Sequence, residues 1–243
     1  MPPVPRPHGT KGGGHGGKRT LALMIGVAAA VAAALIGGSL LLRGGNDDAP
    51  TQVAGDTALI DGIPQKGTVL GNPAAKVTLY QYEDIQCPYC LRYTVSLFPL
   101  VVDEYVRNGS VKVDFRGLDL LGDDSTQALR AVLAAAKQDK SWQLIELLYA
   151  NQGEEGSGWV TDVLIDSLAA SIDGLDVEQL KRDAQSEEVT AEIAKVRAEA
   201  EERGVQGTPW FFVGTADGSL AELAPQGLSA KTLRAALDRA LAG

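Results

Sequence analysis

Cysteine and histidine are scarce in this chain of 243 residues, with two of each: Cys87 and Cys90, His8 and His15. Two thiols cannot staple a disulfide-rich secreted scaffold, and two distant imidazoles add little toward a four-ligand structural zinc site. No metal is expected, and no cofactor. Acid is missing from residues 1–43, which carry Arg6, Lys11, Lys18, Arg19 and Arg43 and nothing negative. Residues 44–243 therefore hold 17 basic and 31 acidic side chains, a net of −14 inside an overall −9. Such an excess repels a phosphate backbone, whose binding relies on Lys and Arg releasing counterions, so nucleic acid is excluded as a partner. No internal repeat is visible. An apolar content of 45% rules out disorder throughout, and the length suits one domain of ordinary size or two small ones.

Residues 1–20 contain six glycines, four prolines and no aliphatic run. That is too little apolar surface to offset the entropy of ordering, so they read as a flexible basic tail in which His8 and His15 are solvated. Residues 21–42 follow without a single charge over 22 positions. As a helix this segment is roughly 33 Å long at ~1.5 Å per residue, which matches a bilayer core. A cleaved signal peptide also starts basic and turns apolar, but its core runs ~7–15 residues and gives way to polar sequence. Here Gly37-Gly38-Ser39 is followed by Leu40-Leu41-Leu42, which favours an uncleaved, single-pass anchor. The basic residues ahead of the span keep the tail cytoplasmic and place the acidic remainder outside the cytoplasm. Residues 43–58 read as a linker.

Residues 76–82 alternate polar and apolar side chains and are rich in β-formers, predicting a strand. The strand runs into Glu83-Asp84-Ile85-Gln86-Cys87-Pro88-Tyr89-Cys90, with Glu83 expected to face solvent. Residues 91–106 have helical spacing, and Pro99 predicts a kink near residues 95–99. Residues 111–115 form a second strand, and the crossover between the two predicts parallel pairing. Residues 122–203 are helical in every segment, with candidates at 125–138, 141–151, 160–172, 177–184 and 189–203. Lys181, Arg182, Lys195, Arg197 and Arg203 read as solvated ion-pair faces. Gly204 closes the block, Thr208-Pro209 turns into a strand at Trp210-Phe211-Phe212-Val213, and Gly218 marks a hairpin into residues 220–223. Ser229 caps an amphipathic terminal helix.

Two cysteines two residues apart suit a zinc knuckle, an inert disulfide or a redox pair. Zinc lacks its other ligands, and a bridge closing so short a loop restrains the unfolded chain little. A redox pair needs only the thiols present. Cys87 lies at a strand-to-helix junction with Pro88 at the first helical position, so unpaired N–H groups and the positive helix end favour its thiolate. Cys90, one turn inside, is less activated. Cys87 is then the sulfur that exchanges with substrate and Cys90 the one that resolves the mixed disulfide.

The strand ending in Tyr-Glu-Asp-Ile-Gln, the Cys-Pro-Tyr-Cys helix start and the distant Gly-Thr-Pro-Trp-Phe-Phe-Val together resemble the DsbA-like thiol:disulfide oxidoreductases of the thioredoxin superfamily. Gly71-Asn72-Pro73 and Trp142-Gln143-Leu144-Ile145-Glu146-Leu147-Leu148 fit as well, and the resemblance spans roughly residues 59–241. It implies an α/β thioredoxin fold from residues 59–121 and 204–243. A helical insertion occupies residues 122–203, its last helix rejoining the core. The resemblance matches Cys87 and Cys90 to a catalytic disulfide pair and Thr208-Pro209 to a cis-proline edge that binds an extended client; Trp210 beside it reads as core strand placed to contact that client. Asp84 matches an acidic position that either handles a proton for Cys90 or caps the helix start. The active-site dipeptide Pro88-Tyr89 departs from the Pro-His of strongly oxidising members, and Tyr89 cannot stabilise a thiolate as a protonated histidine does. The implied activity is disulfide exchange on client proteins, most simply oxidation, with reoxidation by a membrane partner of the DsbB or vitamin K epoxide reductase type. A reductase or isomerase is the alternative within enzymes, and a tethered client-binding module the alternative outside them.

Overall fold

The computed structural model describes residues 55, 57–223 and 227–243. The tail 1–20 with His8 and His15, the expected span 21–42 and most of the linker 43–58 lie outside the described residues. Among those that are described, no helix is long and apolar enough to cross a membrane.

A single sheet of six strands has the order β1-β2-β4-β3-β5-β6, from β1 (Gln65–Lys66), β2 (Val69–Leu70), β3 (Val77–Glu83), β4 (Val111–Gly117), β5 (Trp210–Gly214) and β6 (Leu220–Leu223). β3 and β4 pair in parallel, as the crossover between them predicts, and every other pairing is antiparallel. The β1–β2 hairpin, which turns at Gly67 with φ 58, is an addition to the expected architecture. Its strands are two residues each, too short to show a period.

β3 is buried along both faces, unlike the half-exposed strand its alternation predicts. Side chains alternate across a strand, so Val77 and Leu79 enter the main core beside Val113, Phe115, Phe211 and Val213. Tyr80 and Tyr82 join a second cluster with Phe212, Val196 and Ala200. Val196 and Ala200 belong to the last helix of the insertion, and this is how that helix rejoins the core.

The helix after the cysteines is broken, beyond the expected kink. α1 (Pro88–Ser96) stops at Leu97, α2 (Phe98–Val101) restarts with Pro99 in its first turn, and residues Val102–Val106 continue in a wider π turn. Proline has no N–H to give the preceding turn, so a new helix start accommodates it better than a helix interior.

The insertion comprises α3 (Asp123–Ala136), α4 (Ser141–Ala150), α5 (Asp162–Ala170), α6 (Val177–Ala184) and α7 (Glu187–Glu202), each within a few residues of its expected bounds. Trp142 of α4 stacks on Phe98 with ring centres 5.2 Å apart, meets Phe115 edge-on at 6.3 Å, and donates its indole N–H to the Thr68 carbonyl at 2.9 Å. The insertion and the sheet thus share one core. Arg197 and Arg203 form the ion pairs expected of them, Arg197 with its own side chain half exposed, but against buried or half-buried partners. Arg197 forks onto the buried Asp119 carboxylate at 2.7 and 2.5 Å, and Arg203 bonds Tyr82 and Glu199, clamping α7 to the sheet. The terminal helix α8 (Ala230–Ala242) opens with Ser229 in a capping box with Thr232.

Candidate active site

The register of β5 against β3 brings the distant residues together. Trp210, the first residue of β5, pairs with Tyr82 near the end of β3, so the Thr208–Pro209 turn before β5 meets the loop leaving β3. The Thr208–Pro209 peptide is cis, and Cys87 Sγ lies 3.3 Å from the Thr208 carbonyl, to which it donates only when protonated. Cys87 is the N-cap of α1 and Pro88 its first residue, as the sequence predicts. Both cysteines are free thiols; Cys87 keeps 4% of its surface and Cys90 none.

Their acidities diverge. Cys87 is pulled down to about 6, chiefly because the Cys90 thiol donates to its sulfur; Thr208 and the backbone N–H groups of Cys90 and Tyr89 assist, and burial works against the shift. Cys90 is pushed well above the ordinary thiol range by burial, by that same donation and by the charge of Glu83. One sulfur is an anion near neutral pH while its partner holds the proton.

Glu83 does not face solvent. It is the last residue of β3 and pairs with Gly117, which turns its side chain to the same face as Leu79, under the insertion. It is 2% exposed, its Oε2 accepts from the Tyr149 hydroxyl at 2.7 Å, and its Oε1 is buried without a hydrogen-bond partner among the described residues. Burial pushes its carboxyl up to about 8, the Tyr149 bond opposes this, and the charges of Glu146 and Cys87 add to it.

Asp84 is fully buried, and both oxygens are occupied by loop groups. Oδ1 accepts from Gln86 N at 2.8 Å and Ser125 Oγ at 2.7 Å, and Oδ2 accepts from Leu120 N at 2.7 Å and Leu121 N at 3.2 Å. No thiol is among its donors. Asp84 ties the cysteine loop to the entrance of the insertion. Asp84→Ala should orphan several buried donors and lower stability by about 3 kcal/mol in urea titration, whereas a loss below about 1 kcal/mol would show that the loop stands without it.

Three further residues, none singled out from sequence, hold the loop. Gln86 donates to the Leu121 carbonyl at 2.7 Å and accepts from Gly156 N at 2.8 Å, while Gln152 donates to the carbonyls of Ile85 at 2.5 Å and Cys87 at 3.3 Å. Tyr149 is the third. Beside the thiols, a groove of about 810 Å³ runs between α1 and the cis-proline turn, lined by Tyr89, Arg92, Leu97, Thr208, Pro209 and Trp210 among others. No metal-ligand cluster of three or more His, Cys, Asp or Glu occurs among the described residues.

A thioredoxin family model matches residues 64–238, most of the chain. This chain belongs to that family. A probable disulfide bond formation protein D of Bacillus cereus is 32% identical over 155 residues, 63% of this chain and 70% of the relative. The disulfide bond formation protein D of Bacillus subtilis is 29% identical over 147 residues, 60% and 66% of the two chains. Among solved structures, oxidised BdbD from Bacillus subtilis superposes with a TM-score of 0.64 at 23% identity, covering 79% of this chain and 98% of that one, which bears on fold alone. A thioredoxin-like oxidoreductase from Silicibacter pomeroyi superposes with a TM-score of 0.56 at 32% identity, covering 78% and 99%. The thioredoxin fold with a helical insertion is established, and the chain is a thiol:disulfide oxidoreductase of the thioredoxin family.

Proposed function

We propose that the protein oxidises client proteins through the Cys87–Cys90 pair of its Cys-Pro-Tyr-Cys helix start. The observation that carries this reading is the placement of the two thiols, Cys87 at the N-cap of α1 with its sulfur 3.3 Å from the Thr208 carbonyl and Cys90 fully buried one turn inside. A client thiolate attacks Cys87 Sγ of the protein disulfide, the Cys87–Cys90 bond breaks, and Cys90 leaves. Cys90 has the high-pKa sulfur and takes up a proton, for which the coupled Glu83 carboxyl, neutral below about pH 8, is the nearby buried donor. The second client thiolate then attacks the client sulfur of the mixed disulfide, and Cys87 leaves as the thiolate that its surroundings stabilise. A low-pKa leaving group departs faster, and a stabilised reduced form makes the disulfide the stronger oxidant. The client becomes a disulfide and the protein its two-electron-reduced form, with Cys87 a thiolate and Cys90 protonated; the protons lost in forming the two client thiolates pass to solvent, one of them returning to Glu83, so electrons and protons balance.

Thr208, Pro209 and Trp210 would present an extended edge to the client, in the manner of strand addition. Residues 21–42 would anchor the chain as a single membrane pass with its N-terminus in the cytoplasm and the catalytic domain outside. A membrane oxidase of the DsbB or vitamin K epoxide reductase type would reoxidise the pair. Deleting residues 1–42 should move the protein from the membrane fraction to the soluble one, and retention at the membrane would reject the anchor.

The full-length protein in detergent should oxidise a reduced dithiol peptide stoichiometrically, and Cys87→Ser should abolish this. Undiminished oxidation by that variant would reject the site. Equilibration with glutathione buffers separates oxidase from reductase, because a potential well below the glutathione couple would favour the reductase.

A further inference from the structure

The lip of the groove beside Cys87 carries a charge with no ion-pair partner among the described residues. Arg92 lies on the exposed side of α1 with its guanidinium over the ring of Tyr89, 4.9 Å from the ring centre. Tyr89 is itself 61% exposed, and both residues line the groove that ends at Thr208 and Pro209. Most other arginines among the described residues reach a carboxylate: Arg107, Arg116, Arg197, Arg203 and Arg234 all do. Arg92 has no carboxylate within 4.0 Å among the described residues, although residues 44–243 contain 31 acids. Stacking on Tyr89 occupies the face of the guanidinium and leaves its fork of N–H donors at the edge.

We propose that this groove selects extended client segments carrying an aspartate or glutamate two or three residues from the reactive cysteine. The spacing follows from geometry. Arg92 is five positions beyond Cys87, about 7.5 Å along a helix at ~1.5 Å per residue. An extended client advances ~3.3 Å per residue, so a client side chain two or three positions from the sulfur on Cys87 lies abreast of Arg92. Tyr89, Leu97, Pro209 and Trp210 supply apolar walls for the intervening side chain, and the fork of Arg92 accepts the carboxylate. The acidic surroundings sharpen the choice, because a client with a basic residue at that position gains from the domain at large but meets repulsion at the lip.

This inference rests on the oxidase reading, and the two fail separately. Three reduced dithiol peptides, identical except for Asp, Gln or Lys three residues from the first cysteine, are oxidised by the full-length protein in detergent at low salt. Dithiothreitol serves as a small substrate too short to reach Arg92. With the protein supplied in its disulfide form, the second-order rate constant for single-turnover oxidation of the Asp peptide should exceed that of the Lys peptide by about three- to tenfold, as expected of one partly screened charge pair on each side of zero. Arg92→Gln should level the ratio and Arg92→Glu should invert it. Each variant is scored by its own Asp-to-Lys ratio, so a change in overall activity does not enter. Added salt should compress the wild-type ratio. Equal rates for the Asp and Lys peptides in the wild type, or a ratio unmoved by Arg92→Glu, would overturn the proposal. Failure of the wild type to oxidise dithiothreitol would instead reject the oxidase reading beneath it.

Discussion

Cys90→Ala should stop turnover and at the same time make Cys87 a weaker acid. The Cys90 thiol is the first of the groups holding Cys87 at about 6, so its loss should raise that value, leaving Thr208 and the backbone N–H groups to act alone. The consequence at neutral pH is large. A thiol of pKa 6 is about 90% ionised at pH 7, against about 3% for an ordinary thiol near 8.5. Alkylation of the reduced wild-type protein by iodoacetamide should therefore rise with a midpoint near pH 6 and involve Cys87 alone, Cys90 being buried and protonated. In the variant the midpoint should move upward, and mixed disulfides with the client should persist for want of a resolving thiol. A midpoint that stays near 6 would mean that the helix start, not Cys90, sets the acidity.

Glu83→Gln should flatten the alkaline loss of stability of the reduced protein. In the unfolded chain a glutamate ionises near pH 4.3, whereas in the fold its carboxyl is pushed up to about 8. Below pH 4 it is neutral in both states and carries no penalty. As pH rises toward 8 the unfolded chain releases the proton and the folded one retains it, so the unfolded state binds fewer protons and stability falls. The full shift corresponds to on the order of 5 kcal/mol, reached above pH 8. Cys87, with its lowered value, contributes the opposite slope above pH 6, so the informative quantity is the difference between wild type and variant. Glutamine accepts the Tyr149 hydroxyl but puts an NH2 group with two donors where Glu83 Oε1 has no partner among the described residues, offsetting about 1–3 kcal/mol. Urea titrations at pH 5 and pH 9 should show the variant less stable than, or equal to, wild type at the lower pH and more stable at the higher. Parallel pH profiles for the two proteins would show that Glu83 is ionised in the fold throughout.

The two carboxyls ahead of the cysteines show where sequence reading stops. Glu83 and Asp84 are adjacent, alike in chemistry and four and three positions from Cys87 in the chain, and the sequence left Asp84 as either a proton-handling group or a cap while turning Glu83 to solvent. β3 extends one residue further than its alternation suggests. That single step in register points Glu83 into the core and leaves Asp84 to the loop. Gln86 and Gln152 were illegible for a related reason: a polar side chain that braces a loop 65 residues away has no local pattern to reveal it. The β1–β2 hairpin and the break at Leu97 are failures of length, since two-residue strands and a four-residue helix lie below the reach of any period.

By itself the sequence determined the local chemistry: two thiols at the start of a helix, a proline at its first position, a parallel crossover and a long helical insertion. These follow from periodicity, caps and spacing, which act over a few residues. Tertiary structure alone decided which groups share a site. Antiparallel pairing of β5 with β3 carries Thr208 and Pro209 across 121 residues to Cys87, and the insertion lowers Tyr149 onto Glu83. The acidities of Cys87, Cys90 and Glu83 depend on burial and on those distant partners, and burial is a property of the packed fold rather than of any segment.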